Sequence, residues 1–203
     1  MIAPYSREMA EDWSLAACET LASSRLRGLG DRWLHARSVG RKVRLLGGVL
    51  GPGNAVGAAA WLHDVGYAPE LRRTGCHPID GARFLRDEGA PGAVVDLVAK
   101  HSGAKFEAEE RGLTAELAEF GEPSEADLDL LTLLDMTTGP TGEYVGEDER
   151  VAEILNRYEP SHAVHRAVTR SRADLLEACR RARARLGLAD VGGAPALGEV
   201  LDA

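Results

Sequence analysis

Residues 54–66 read NAVGAAAWLHDVG, and this stretch decides the fold. It is apolar on nearly every side until two polar residues, His63 and Asp64, which is typical of a helix buried in the centre of a domain. Gly66 predicts the end of that helix, because glycine readily adopts the left-handed conformation that caps helices. The sequence therefore predicts a central buried helix over residues 54–65 with a histidine and an aspartate at its end.

Helices are predicted on both sides of this stretch. Apolar residues recur at intervals of three and four, and no two-residue alternation is present, so the predicted fold class is all-α, a single helical bundle. The first helix carries Met9, Trp13 and Leu21 on one face, and Pro78 in a first turn places His77 at or beside the N-cap of another. Further helices are predicted over about residues 31–50, 77–87, 92–102, 124–137, 147–158 and 162–186.

The predicted domain organisation follows from these helices. Residues 1–24 form an N-terminal helix that packs on the core, and residues 25–186 form the main domain. The acid-rich residues 107–122 have weak periodicity and are predicted to be a surface excursion. The tail, residues 187–203, is rich in glycine and alanine and is predicted to be loosely ordered.

Composition limits the functional classes. A chain of 203 residues with 44% hydrophobic content can bury one core. Its net charge of -8 repels polyanions, which argues against nucleic acid as the main partner. The three cysteines are far apart and lack CxxC spacing, so no disulfide framework is expected and a reducing cytoplasm fits. Residues 45–62 are uncharged and of membrane-spanning length, but glycines and a proline interrupt them, so we predict no membrane span.

Polar residues stand where helix geometry places apolar ones. His35 shares a face with Val39 and Val43, and His101 and Asp135 each follow apolar residues at helical spacing. An unpaired charge in a core is costly, and a carboxylate with several inward imidazoles can be satisfied together by one cation. A metal site is therefore predicted, with nitrogen and oxygen ligands that suit Mn, Fe, Co, Ni or Zn better than Ca or Mg.

The order His35, then His63-Asp64, then Asp135, each at a helical position, resembles the HD superfamily of metal-dependent phosphohydrolases, whose signature is H…HD…D on a helical bundle. The resemblance covers roughly residues 25–170. It implies hydrolysis of a phosphate ester by a metal-activated water, with Asp64 and His63 as catalytic residues. The substrate would be a nucleotide or a similar small phosphorylated molecule.

The same resemblance implies a second metal ion. In family members with two metals, histidines between the dyad and the last aspartate hold the second ion, and His77 and His101 match those positions. The expected ligand set, for one or two divalent transition metal ions, is His35, His63, Asp64, His77, His101 and Asp135. The chain lacks the Glu-Asp pair of ppGpp hydrolases and the extended motif of HD-GYP phosphodiesterases, which leaves a small stand-alone hydrolase.

Candidate substrate contacts lie beside the expected ligands. Arg32 and Arg37 flank His35, Arg73 precedes His77, and Lys100 precedes His101. The arginine fork suits phosphate. Thr138 follows Asp135 at a helix end, where loops often supply substrate contacts.

Two other functions stay open on the sequence alone. Some proteins resembling this fold use a di-iron pair for oxygen-dependent cleavage, and the same six ligands would serve that reaction. A non-catalytic binding module is the other, since the last helix carries arginines that could contact nucleic acid. These are Arg180, Arg181, Arg183 and Arg185.

Overall fold

The computed structural model describes residues 12–46 and 54–188, and the chain in these ranges is a bundle of helices without a β-strand. The α-helices are Leu15–Leu26 (α1), Asp31–Leu45 (α2), Ala55–Leu62 (α3), His77–Asp87 (α4), Gly92–Lys100 (α5), Ala104–Arg111 (α6), Thr114–Leu117 (α7), Glu125–Met136 (α8), Glu147–Arg157 (α9) and Ala163–Arg185 (α10). Short 3-10 helices connect several of them. The predicted all-α fold is confirmed.

Helix α3 lies at the centre of the bundle. Its residues from Val56 to Leu62 are all buried, and it packs against α1, α2, α5 and α8. Asn54 caps its first turn by accepting a hydrogen bond from the backbone N–H of Val56 at 2.8 Å. Trp61 packs so closely on α2 that a Cβ at Gly40 would lie 2.2 Å from its ring. The prediction of a central buried helix is confirmed.

The end of α3 differs from the prediction. The helix stops at Leu62, and Gly66 lies in a short 3-10 helix, Val65–Tyr67, without the positive φ of a left-handed cap. A Cβ at Gly66 would lie 2.0 Å from the carbonyl oxygen of His77 and 2.6 Å from the backbone nitrogen of Gly81. The predicted left-handed cap was wrong: glycine is needed here because two backbone segments touch.

The acid-rich segment is not a surface excursion. It contains most of α6 and all of α7, and α6 packs against α10. Ala108, Leu117 and Phe120 are buried in the main core. The helices are too short for their apolar residues to recur visibly in the sequence, because within this segment each of them buries only one such residue, Ala108 in α6 and Leu117 in α7. The prediction was therefore wrong for this part of the chain.

Helix α10 closes the bundle on one side. It packs against α6, α8 and α9 and forms a second, smaller apolar cluster with α8 and α9. Asp129 on α8 is buried and accepts hydrogen bonds from Arg181 at 2.6 Å and from Arg185 at 2.5 Å. These two ion pairs hold α10 on α8, since a buried carboxylate needs such partners.

Other predicted boundaries shift or lie outside the described residues. Trp13 precedes α1, because Ser14 caps that helix by accepting from the backbone N–H of Ala17 at 3.3 Å. Met9, the break over residues 47–53 and the tail after residue 188 fall outside the described ranges. None of the helices within those ranges is long and apolar enough to cross a membrane.

We expect Gly66→Ala to lower the free energy of unfolding by at least about 2 kcal/mol, because the added methyl group meets backbone atoms that cannot move aside independently. Gly92→Ala is the matched control, since a Cβ there meets no atom within 4 Å. That variant should stay within about 1 kcal/mol of the original protein. Urea unfolding of both variants measures the difference, and equal midpoints would contradict the close-approach explanation.

Candidate metal centre

Six residues from five parts of the chain meet at one buried point. His35 comes from α2, His63 and Asp64 follow α3, and His101 follows α5. These four side chains are at most 3% exposed. The remaining two, His77 at the start of α4 and Asp135 near the end of α8, complete the cluster. The structure thus brings together all six residues that the sequence singled out as ligands.

One half of the cluster is built around His35 and His63. Their Nε2 atoms are 3.3 Å apart, and Oδ2 of Asp64 lies 3.9 Å from the first and 3.6 Å from the second. Oδ1 of Asp135 lies 3.0 Å from Nε2 of His35. The nitrogen and oxygen atoms of His35, His63 and Asp64 are close enough together to hold one metal ion.

The other half is built around His77 and His101. Their Nε2 atoms are 3.2 Å apart, and Oδ1 of Asp64 lies 3.4 Å from Nε2 of His77. These three residues form a second group that could hold a metal ion. Asp64 belongs to both groups, with one carboxylate oxygen facing each.

The hydrogen bonds of the histidines favour metal binding. The Nδ1 atoms of His63, His35 and His101 lie 3.0, 3.1 and 2.6 Å from the backbone carbonyl oxygens of Ala60, Gly139 and Val98. A carbonyl oxygen only accepts, so each of these Nδ1 atoms carries the proton and each Nε2 presents a lone pair. The facing lone pairs of His35 and His63, 3.3 Å apart, repel unless a cation lies between them. The donor set therefore fits a metal.

The protonation states agree with this arrangement. Burial would raise the pKa of Asp64, but its polar and charged neighbours, first among them Arg32, outweigh burial and hold that pKa far below its usual range. Burial lowers the pKa of His77 and of His101. Asp64 is therefore ionised and His77 and His101 are neutral, which are the forms that bind metals.

Arg32 connects the cluster to its surroundings. Its Nη1 donates to Oδ2 of Asp64 at 2.9 Å, and its guanidinium lies 3.9 Å from the centre of the Tyr67 ring. Tyr67 in turn stacks on His77, with ring centroids 4.0 Å apart. Among the predicted substrate contacts, Arg32 is thus the one that touches an expected ligand.

An open cavity of about 630 Å³, part of it continuous with solvent, begins at the second half of the cluster. Asp64, His77, His101 and Asp135 line it, together with Arg32. The rest of its lining includes residues of α8, α9 and α10. The sequence-based interpretation missed Arg150, Ile154 and Arg157, which line this cavity from α9, and Tyr158, which follows that helix. The spacing of four and three residues places the first three on one helix face, so a signal was present.

The other predicted substrate contacts do not line this cavity. Arg37 is half-buried on α2, and Arg73 is exposed. Lys100 pairs with Glu122 at 2.8 Å and lines a different cavity. Thr138 is fully buried in the bundle. Proximity to a ligand in sequence did not place these side chains beside the cluster, because neighbouring helical residues point in different directions.

Two further residues support the cluster without having been predicted. Lys42, buried on α2, donates from Nζ to the hydroxyl groups of Thr137 and Thr138 at 3.1 and 2.7 Å, and so holds the chain just after Asp135. Burial lowers the pKa of Lys42 to about 7. Ser102, at a positive φ of 43°, donates from its hydroxyl group to Asp135. Lys42 is seven residues after His35, which indicates the same helix face.

The fold and the cluster define a helical domain whose central helix ends in a site able to hold divalent metal. Comparison with known families matches residues 32–178 to the HD domain. The chain therefore belongs to the HD domain family, as the order of its histidines and aspartates predicted. No curated protein and no solved structure matched the chain.

We expect the metal-free protein to lose stability as the pH falls below about 6.5. Because burial lowers the folded-state pKa of His77 and His101 below 6.5, the unfolded chain binds more protons in the window between the two values. Stability therefore rises with pH through that window. Chemical unfolding in chelator from pH 5 to 7.5 measures it, and His101→Gln should flatten the dependence. An unchanged slope in that variant would contradict the assignment to His101.

Proposed function

We propose that this HD domain is a metal-dependent phosphohydrolase acting on a small phosphorylated molecule. One observation carries the proposal: two groups of metal-binding atoms share Asp64, and they open on a cavity that three arginines line. These arginines are Arg32, Arg150 and Arg157. Cations that face an anion-binding wall suit a substrate with a phosphoryl group.

The ligands divide into two sets in this proposal. His35, His63, Asp64 and Asp135 hold one ion of the Mn, Fe, Co, Ni or Zn type, and Asp64, His77 and His101 hold the second. Asp64 is suited to bridge, because its two oxygens face different groups of imidazoles. Asp64 would contact both cations and His63 one of them, so these two residues, which the sequence predicts to be catalytic, would act as metal ligands.

The bound metals would lower the pKa of a water molecule and neutralise charge on the phosphoryl group. The chain itself supplies orientation. Backbone carbonyl groups fix the tautomers of three histidines, as described above, and Ser102 fixes one oxygen of Asp135. Arg32 lies at 2.9 Å from Asp64 and lines the cavity, so it can contact a phosphoryl oxygen beside the bridging carboxylate.

The arginines of α10 support the expectation that nucleic acid is not the partner. They pair with carboxylates of the chain itself, so their charge is compensated. The pairs are Arg180 with Glu177 at 2.6 Å, Arg181 with Asp129 at 2.6 Å, Arg183 with Glu147 at 2.6 Å and Arg185 with Asp129 at 2.5 Å.

We expect two transition metal ions per chain in protein purified without chelator. The double variant His77→Ala, His101→Ala should retain one, because the group around His35 and His63 stays intact. His165→Ala is the control, since this histidine lies on α10 outside the cluster, and it should retain two. Elemental analysis gives the counts. A single ion in the unmodified protein would restrict His77 and His101 to other roles.

We expect the protein loaded with Mn or Co to release phosphate from at least one member of a panel of nucleotides and small phosphate esters. Asp64→Asn keeps the shape of the side chain but removes its charge, and it should lower that release by roughly 100-fold or more. His63→Ala should have a similar effect, and His165→Ala should have none.

Equal phosphate release in Asp64→Asn and in the original protein would contradict the proposal. A different result would favour the oxygen-dependent reaction that the same ligands could serve. It consists of two tightly bound irons with charge-transfer absorption bands, together with no phosphate release in Mn. The optical spectrum and elemental analysis of aerobically purified protein decide between these outcomes.

A further inference from the structure

The cavity beside the cluster has two chemically different walls. This inference rests on the proposed function, because it concerns the substrate of the same site. The wall nearest the metal ligands is polar and carries the arginines of α2 and α9. The far wall, from α8, α9 and α10, is apolar. Its residues are Met136, Ile154, Val164, Val168 and Leu175.

In the cationic wall, two arginines share one ion-paired carboxylate, so part of their positive charge is left unpaired. The side chain of Arg150 is only 5% exposed and donates to Glu153 at 2.5 Å, but its buried Nε has no hydrogen-bond partner among the described residues. Arg157 donates to the same carboxylate at 2.9 Å. Two guanidinium groups thus share one carboxylate, and a buried donor is left over. Such a donor normally has a partner, so the wall suits an anion.

The acidic residues that face this cavity do not cancel that charge. Glu107 is mostly buried and pairs with Arg111 at 2.7 Å. Asp64 pairs with Arg32 and belongs to the metal cluster, as does Asp135. Arg150 also lines a neighbouring cavity together with Arg32, Arg157 and His35, and with the carboxylates of Asp31 and Glu153, so the arginines continue toward the metal ligands.

The apolar wall continues the second apolar cluster of the fold. Ile154 and Val168 pack against that cluster and expose their other side to the cavity. No asparagine or glutamine lines the cavity. Of its other polar side chains, Ser102 donates to Asp135, Glu107 pairs with Arg111 and Tyr67 stacks on His77, whereas Tyr158 lies beside Arg157. A nucleobase presents several donors and acceptors, which a wall of aliphatic side chains leaves unpaired.

We propose that the site takes a phosphate monoester whose organic group is apolar, with Arg150 and Arg157 holding the phosphate and the α8–α10 wall holding the organic group. A single apolar wall suits one organic group, which favours a monoester over a diester. The substrate class is thereby narrower than nucleotides and small phosphate esters in general. Selectivity comes from α9 and α10, whereas the ligands come from earlier helices.

Binding of alkylphosphonates to the metal-loaded protein tests this proposal, because their carbon–phosphorus bond survives hydrolysis. Calorimetry with methyl-, ethyl-, propyl- and butylphosphonate should show affinity that rises by up to about fourfold per methylene group, as expected for burial of apolar surface. Adenosine 5′-monophosphonate should bind more weakly than butylphosphonate. A flat series, or tighter binding of the nucleoside compound, would overturn the proposal.

Two variants test the cationic wall and the apolar wall separately. Arg150→Met should weaken every phosphonate by at least about tenfold and leave the increment per methylene in place. Val168→Thr, which nearly keeps the shape of the side chain, should shrink that increment. Arg172→Met is the control, since Arg172 is exposed and pairs with Asp148 away from the cavity, and it should bind all phosphonates as the original protein does.

Metal counts and thermal midpoints show whether each variant is folded, and Arg150→Lys replaces Arg150→Met if the latter does not fold. Its affinity should also fall, because lysine lacks the planar fork. Affinity unchanged in a folded Arg150 variant would overturn the role of that residue. The two proposals fail separately. A rising phosphonate series without any phosphate release contradicts only the hydrolase, and phosphate release with a flat series contradicts only the apolar substrate.

Discussion

The buried carboxylate of Asp64 is the constraint on which the rest of the structure depends. It follows the most apolar helix of the chain, and three imidazoles and a guanidinium lie around it. A carboxylate at such a position needs charged or polar partners, and three parts of the bundle deliver them. Arg32 and His35 come from α2, His63 follows α3 and His77 begins α4, and all four meet at the same two oxygen atoms. The packing of the helices and the electrostatic stabilisation of Asp64 therefore depend on each other.

The sequence predicted which residues gather in the cluster, because most of them are polar residues at helix positions where an apolar residue is expected. A histidine or an aspartate at an apolar position of a helix can be recognised without knowing the partner helix. His35, His101 and Asp135 were found in this way, and the family resemblance added His77. Residues on the same helix face but far along the chain, such as Arg150, give no such signal, because an arginine on an amphipathic helix is ordinary. Their role depends on how helices dock.

The errors have the same origin. Gly66 was interpreted through its own backbone freedom, whereas its actual reason is the backbone of His77, eleven residues later and in another element. The acidic segment was judged by its composition, although its two short helices bury Ala108 and Leu117, and Phe120 is buried just after them. Lys42 could be placed on the inward face, but its three acceptors at the end of α8 could not be inferred. The local sequence pattern predicts which way a side chain points, whereas its partner is determined by tertiary contacts.

The two arginine contacts to Asp129 have a consequence for how the domain could change over time. They fasten α10, which supplies much of the apolar cavity wall, without involving any atom of the metal cluster. All six expected ligands lie between residues 35 and 135, and the apolar wall comes from residues 136–175. In the proposed assignment, the metal ligands and the apolar substrate wall thus occupy successive lengths of one polypeptide. Substitutions in the later part could redirect such a domain to new molecules while its reactive centre stayed as it is.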